Sequence, residues 1–223
     1  MNIKNTLKKE WYVLLILIAP FVASFILWND IPDIVPTHFN AAGEADDYGP
    51  KWINAFLLPC IAVITYFFLL IIPAIDPKKR KDNAQKPIAA IRIVISLFLV
   101  GVYALVMMKT FNMDTDIGQF VFIGVGILII VTGNYMNSIK PNYFIGIRTP
   151  WTLENPEVWK KTHRFASKLW IIGGLFIMAS AFISALKGSL FIIVGSVIVL
   201  AVIPLIYSYI IFNKLQQLNE DSE

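Results

Sequence analysis

The 223 residues carry 57% hydrophobic and only 15% charged side chains, with a formal net charge of +4 and a mean hydropathy of +0.67. Such a chain cannot fold as one water-soluble core without leaving apolar surface exposed, so it reads as a membrane protein. The single cysteine, Cys60, excludes an internal disulfide and a multi-thiolate metal site, and no soluble basic face is large enough for direct nucleic acid binding.

Six apolar runs are long enough to cross a hydrocarbon layer of about 30 Å at about 1.5 Å per helical residue. The first, 11–28, follows Lys8-Lys9 and so resembles a signal peptide with Val22-Ala23-Ser24 as a cleavage-like tripeptide; because it continues to Trp28, it reads as an uncleaved anchor. A long loop, 29–54, leads to the second run, 55–75. The third, 88–108, contains Arg92 near one end, where it is expected to snorkel. The fourth, 117–136, holds Gly133-Asn134 near its inner end, and Asn134 is expected to hydrogen-bond across helices. After a second long loop, 137–168, come 169–186 and 189–212, joined in a tight antiparallel hairpin through Lys187-Gly188.

Charge orients these spans, because Lys and Arg in short loops stay on the cytoplasmic side. The tail 1–10 has three, the loop 76–87 five, the loop 137–168 six and the C-terminal tail one, so fifteen share one side against Lys51, Lys109 and Lys187 on the other. The predicted fold is all-α: a single integral membrane domain forming a polytopic six-helix transmembrane bundle in the cell membrane, with both termini cytoplasmic. An ordered extracytoplasmic cap loop and a cytoplasmic interfacial amphipathic helix complete it.

The outer loop is punctuated by Pro32, Pro36, Asn40, Gly43 and Tyr48-Gly49-Pro50, which predicts an ordered, non-helical cap. His38 with Asp46 and Asp47 has the right donors for a divalent cation, but the spacing fits no metal motif. The simpler reading is that His38 and Asn40 hydrogen-bond the turns while the acids are solvated, with no metal.

In the inner loop, Asn155-Pro156-Glu157 starts a helix: a capping amide, a proline at the first helical position and an acid at the positive end of the dipole. Helical steps then put Val158, Trp159, Phe165, Ala166, Leu169 and Trp170 on one side and Lys160, Lys161, Arg164 and Lys168 on the other. That pattern fits a helix lying in the interface, aromatic side in the acyl boundary and basic side towards phosphate or water. His163 falls at the border of the two faces, as a polar edge contact or as a pH-responsive group. Just upstream, Arg148 sits in the turn Gly146-Ile147-Arg148-Thr149-Pro150-Trp151, where its guanidinium can fork onto a partner's carboxylate or pin the loop to lipid phosphates.

At these residues the chain resembles the SdpI-type bacterial immunity proteins. The resemblance is carried by Gly133-Asn134-Tyr135-Met136, Lys140 with Asn142, the run Gly146 to Leu153, and Val158-Trp159 with His163-Arg164. The outer loop is similar to the amino-terminal domain of unknown function of many family members, through Ile31-Pro32, Pro36, His38-Phe39-Asn40, Gly43, Asp46, Gly49 and Lys51. It departs from the family at Tyr48, where many relatives have tryptophan, and at Pro50. Together the blocks span 31 to about 165, with the third, fifth and sixth spans matching only in hydrophobic character.

The resemblance implies immunity against a secreted toxin peptide, and a receptor role in which the protein holds a cytosolic repressor of its own operon at the membrane. The toxin peptide would then meet the outer cap (Pro36, His38, Phe39, Asn40, Gly43, Asp46, Lys51). The repressor would meet the inner loop (Asn134, Asn142, Gly146, Arg148, Thr149, Pro150, Trp151, Trp159, His163, Arg164). A small-molecule transporter or channel component is the alternative, but it needs ionisable groups at mid-membrane and the spans hold few. An enzyme would need its reactive groups at one depth, whereas His38 and His163 fall on opposite sides. The chain therefore reads as non-enzymatic and without a cofactor.

Overall fold

Continuous apolar stretches form helices, and the computed structural model, which describes residues 3–40, 43–75, 85–183, 186 and 189–220, is mostly helical. In chain order the elements are α1 (Ile3–Lys9), α2 (Trp11–Ile26), β1 (Ile34–Phe39), β2 (Ala45–Pro50), α3 (Leu58–Ile75), α4 (Gln85–Thr110), α5 (Ile117–Met136), α6 (Pro150–Glu154), α7 (Pro156–Ser180) and α8 (Leu190–Glu220). A π-helical turn, Ile53–Leu57, leads into α3.

Among the described residues, four helices are long and apolar enough to cross a membrane, or five if α1 and α2 count as one span bent by 73°. The described residues thus carry four or five of the six expected spans. The fifth predicted run is the apolar end of α7, which as a whole carries Lys160, Lys161, Arg164 and Lys168 and ends at Ser180. Lys187-Gly188 and most of the basic loop 76–87 lie outside the described residues, so the tight hairpin does too.

The chain is not purely helical either. β1 and β2 pair as an antiparallel hairpin, with Val35 opposite Gly49 and Pro36 opposite Tyr48, and an irregularity around His38. Its β-branched start, Ile34-Val35, favours extended backbone, and Gly43 takes a φ of +79° at the turn, which glycine adopts without steric cost.

Two clusters define the ends of the bundle. At one end Ile31 and Val35 pack with Ala55, Tyr103 and Met107, which seats the hairpin on the end of α4 and the turn before α3. The tip reaches α5, since a Cβ on Gly43 would stand 3.3 Å from the backbone nitrogen of Gly118. At the other end Ile91, Met136, Ile139, Ile147, Trp159 and Ala166 form a cluster joining the start of α4, the end of α5, the following loop and the start of α7.

Near that second end the break between α1 and α2 holds Glu10, which is 6% exposed. Its carboxylate accepts from Tyr66 Oη at 2.8 Å and from Arg92 Nε at 3.2 Å, with Arg92 also ion-paired through its terminal nitrogen. Arg92 therefore does not snorkel. It is 2% exposed and turned inward, because a carboxylate is available inside the protein.

Candidate functional site

The loop 137–149 is built around side chains that satisfy its backbone. Asn142 donates through Nδ2 to the carbonyls of Lys140 and Ile145, both at 2.9 Å, while its Oδ1 accepts from Phe144 N at 2.8 Å and Ile145 N at 2.7 Å. All four hydrogen-bonding capacities of the amide are used, so Asn142 acts as an internal brace. Arg148 is exposed and donates to the Tyr143 carbonyl.

The turn then locks onto α7. Ile147 N donates to His163 Nε2 at 3.1 Å, and His163 Nδ1 lies 2.8 Å from the Trp159 carbonyl, which fixes a neutral ring with its proton on Nδ1. Trp159 stacks on His163 with ring centroids 4.0 Å apart and donates through Nε1 to the Ile139 carbonyl at 2.8 Å. Gly146 has a φ of +112°, and a Cβ there would stand 2.4 Å from His163 Nε2. Only glycine fits both the backbone and the ring.

Thr149 caps α6, accepting from Thr152 N at 3.2 Å, while Thr152 Oγ1 donates to the Ile147 carbonyl at 2.8 Å. Pro150 occupies the first turn of α6, where no backbone donor is needed. The cap is tied to α8 through Thr149 Oγ1 and Ser208 Oγ, 3.1 Å apart, and through Trp151 against Tyr209, 5.1 Å between centroids. Asn155 caps α7 as expected, accepting from Glu157 N and Val158 N, with Pro156 following.

α7 is continuous, and part of its apolar side is covered by protein: Val158, Trp159 and Ala166 are at most 2% exposed and lie against α5 and the loop, while Phe165, Leu169 and Trp170 are half-buried. His163 is likewise buried, at 1%, and not at a border. The periodicity was sufficient to define the faces but gave no information on what covers them. Asn134 is exposed, and no cross-helix hydrogen bond from it is seen among the described residues; the neighbouring Gly133 makes the contact instead, as a Cβ there would stand 2.8 Å from Trp170 Cβ.

At the other end of the bundle His38 Nδ1 lies 2.5 Å from Asp46 Oδ1, and Asp47 accepts from its neighbour Tyr48 N at 2.9 Å. Asn40 and Glu44 close the turn through the backbone bond Asn40 N to Glu44 O at 2.9 Å and a side-chain bond at 3.3 Å. Among the described residues no three His, Cys, Asp or Glu side chains come close enough to hold a metal ion. Pro36 gives its carbonyl to the buried Asn54 Nδ2 at 2.8 Å, and Lys51 pairs with Asp33 at 3.1 Å beside the Trp28 ring. His38, Tyr48 and the acids stay exposed, Phe39 and Gly43 are half-buried, and the hairpin presents polar groups on a rigid stem.

Burial of His163 pushes its pKa from 6.5 down to about 4, opposed by the hydrogen bond to the Trp159 carbonyl. The undocked loop therefore takes up its proton first as pH falls. Docking is fully stabilised above pH 6.5 and weakens progressively down to about pH 4, where the loss levels off, at roughly 3 kcal/mol in total. Amide exchange at residues 145–148, followed across this range, should accelerate on acidification in the native chain and lose that dependence in His163→Phe. Exchange independent of pH in the native chain, after correction for the intrinsic rate, is the contrary result.

The model of the SdpI/YfhL protein family matches residues 138–208, and that of a domain of unknown function (DUF1648) matches residues 15–63. The first match takes in the locked loop, α6, α7 and α8 as far as Ser208, so it reaches further than the motif-bearing segment alone. The second runs from within α2 through the hairpin into α3. The chain is 30% identical over 213 residues, 94% of its length and 98% of the relative's, to the Immunity protein SdpI of Bacillus subtilis (strain 168). No solved structure matches. With that coverage and several apolar helices of spanning length, the chain is a multi-pass membrane protein that belongs to the SdpI/YfhL protein family.

Proposed function

We infer that this protein confers immunity on its cell against a secreted toxin peptide, and that it also holds a cytosolic repressor at the membrane when the toxin is present. The observation that carries the reading is the near full-length similarity to an immunity protein, 94% of the chain. The positive charges support a cytoplasmic placement of the locked loop and an outward-facing hairpin, with both termini inside.

Burial divides the named residues by role. Gly146, Thr149, Trp159 and His163 are consumed in holding the turn, so their replacement acts through folding. Arg148 and Pro150 are exposed and Trp151 is half-buried, which leaves them to meet a repressor. On the hairpin, Tyr48 and the paired His38 and Asp46 are exposed, which leaves this face to meet a peptide.

The test is expression in a toxin-sensitive cell, with survival and recovery of a membrane-bound repressor measured together. Arg148→Ala is expected to lose repressor recovery at least tenfold while survival stays within twofold of the native chain. Tyr48→Ala with His38→Ala is expected to lower survival. If the native chain gives no protection, the immunity reading fails. If Arg148→Ala recovers the repressor normally, the loop is removed from signalling.

A further inference from the structure

Basic side chains outside the locked turn gather on a groove between α7 and the end of α8. It has a volume of about 420 Å³ and is lined by Lys161, Arg164, Phe165, Lys168, Tyr207, Ile211, Lys214, Leu215 and Leu218. Phe165 and Tyr207 stack nearly parallel across it, centroids 4.2 Å apart, and so fix the two helices at a set spacing. The lining holds four cations and no acid. Lys161 pairs with Glu157 at 2.8 Å, while Arg164, Lys168 and Lys214 have no ion pair among the described residues.

The groove is also amphipathic along its length. Arg164 and Lys168 are one turn apart on α7, facing Lys214 from α8, and Ile211, Leu215 and Leu218 supply the apolar floor. Beyond the groove, α8 continues as exposed apolar surface through Ile210, Ile206 and Ile203. With 31 residues, α8 is about 46 Å long and outruns a hydrocarbon layer of about 30 Å, which leaves Lys214, its only cation, near the polar boundary. A ligand fitting these features has an anionic head and a long apolar tail running along α8.

We propose that this groove is a binding site for one anionic phospholipid, its phosphate held by Arg164, Lys168 and Lys214 and its acyl chains laid along α8. Arginine forks onto phosphate oxygens while the two lysines add point charges. A zwitterionic lipid brings a cationic headgroup next to these three cations and is disfavoured. The site does not depend on the immunity reading, since it needs neither a toxin nor a repressor.

The test uses the full chain, purified in detergent and stripped of lipid, with bound lipids counted by native mass spectrometry in equal mixtures of phosphatidylglycerol and phosphatidylcholine. The native chain is expected to retain one phosphatidylglycerol in preference to phosphatidylcholine by about tenfold or more. Arg164→Gln with Lys214→Gln should lose that preference. Lys140→Gln with Lys160→Gln removes the same charge outside the groove and should change it less than twofold. Equal loss in both pairs, or no preference in the native chain, overturns the proposal. Displacement of the lipid by millimolar inorganic phosphate, or by an acidic peptide at equal charge, overturns it as well, in favour of a soluble anion or a protein segment. Should the groove variant fail to fold, the melting temperature of the stripped native chain decides: it should rise with phosphatidylglycerol and stay unchanged with phosphatidylcholine.

Discussion

Replacement of Arg92 by leucine is expected to destabilise the folded bundle by about 3–5 kcal/mol, the usual cost of leaving one member of a buried ion pair without its partner. Glu10 is 6% exposed, and without the guanidinium its carboxylate keeps, among the described residues, only the Tyr66 hydroxyl, at 2.8 Å. The charge cannot be solvated where it stands, because Val13, Leu17, Ala62, Tyr66 and Leu70 form the adjoining apolar cluster. Glu10→Leu in the native background leaves the guanidinium stranded and should cost a similar amount. The double variant, Glu10→Leu with Arg92→Leu, removes both charges and should recover most of the loss. Thermal melting in a mild detergent, compared across the four chains, measures the coupling. Additive losses in the double variant would mean that the two side chains act independently, contrary to their geometry.

The same pair shows what could not be read from the sequence. Glu10 stands in a tail dominated by Lys4, Lys8 and Lys9, and 82 positions separate it from Arg92, so nothing local marks them as partners. An arginine near a helix end has snorkelling as its ordinary expectation, and only the fold shows a carboxylate within reach. By contrast, the start of α7 was legible, because Asn155, Pro156 and Glu157 each act on the backbone within one turn. The hairpin was half legible. Asn40 and Gly43 signal its turn, but register depends on Val35 being buried against Tyr103 and Met107, a long-range contact. Two faces of α7 followed from period alone. The partner of its apolar face did not, since a stripe that suits the acyl boundary suits α5 equally well.

A second large effect is expected where α5 and α7 touch through their backbones. A Cβ on Gly174 would stand 2.7 Å from the Gly126 carbonyl oxygen and 3.0 Å from the Ile130 nitrogen, and a Cβ on Gly126 would stand 2.8 Å from the Gly174 carbonyl oxygen. These obstacles are main-chain atoms, which cannot rotate aside, so the helices must separate to admit a side chain. Gly174→Ala is therefore expected to cost about 1–3 kcal/mol, and Gly174→Val more, as in other overpacked cores. Gly101→Ala is the matched comparison: nothing lies within 4 Å of its Cβ, so better helix propensity should make it neutral or stabilising by up to about 1 kcal/mol. The consequence reaches the locked turn. α5 ends at Met136, just before Ile139, whose carbonyl receives Trp159 Nε1 from α7 at 2.8 Å, so spreading the two helices pulls on that bond. Gly174→Val should thus raise amide exchange at residues 139–148 as well as lower the melting temperature. Unchanged exchange in the loop, with a lowered melting temperature, would uncouple the turn from the packing of α5 on α7.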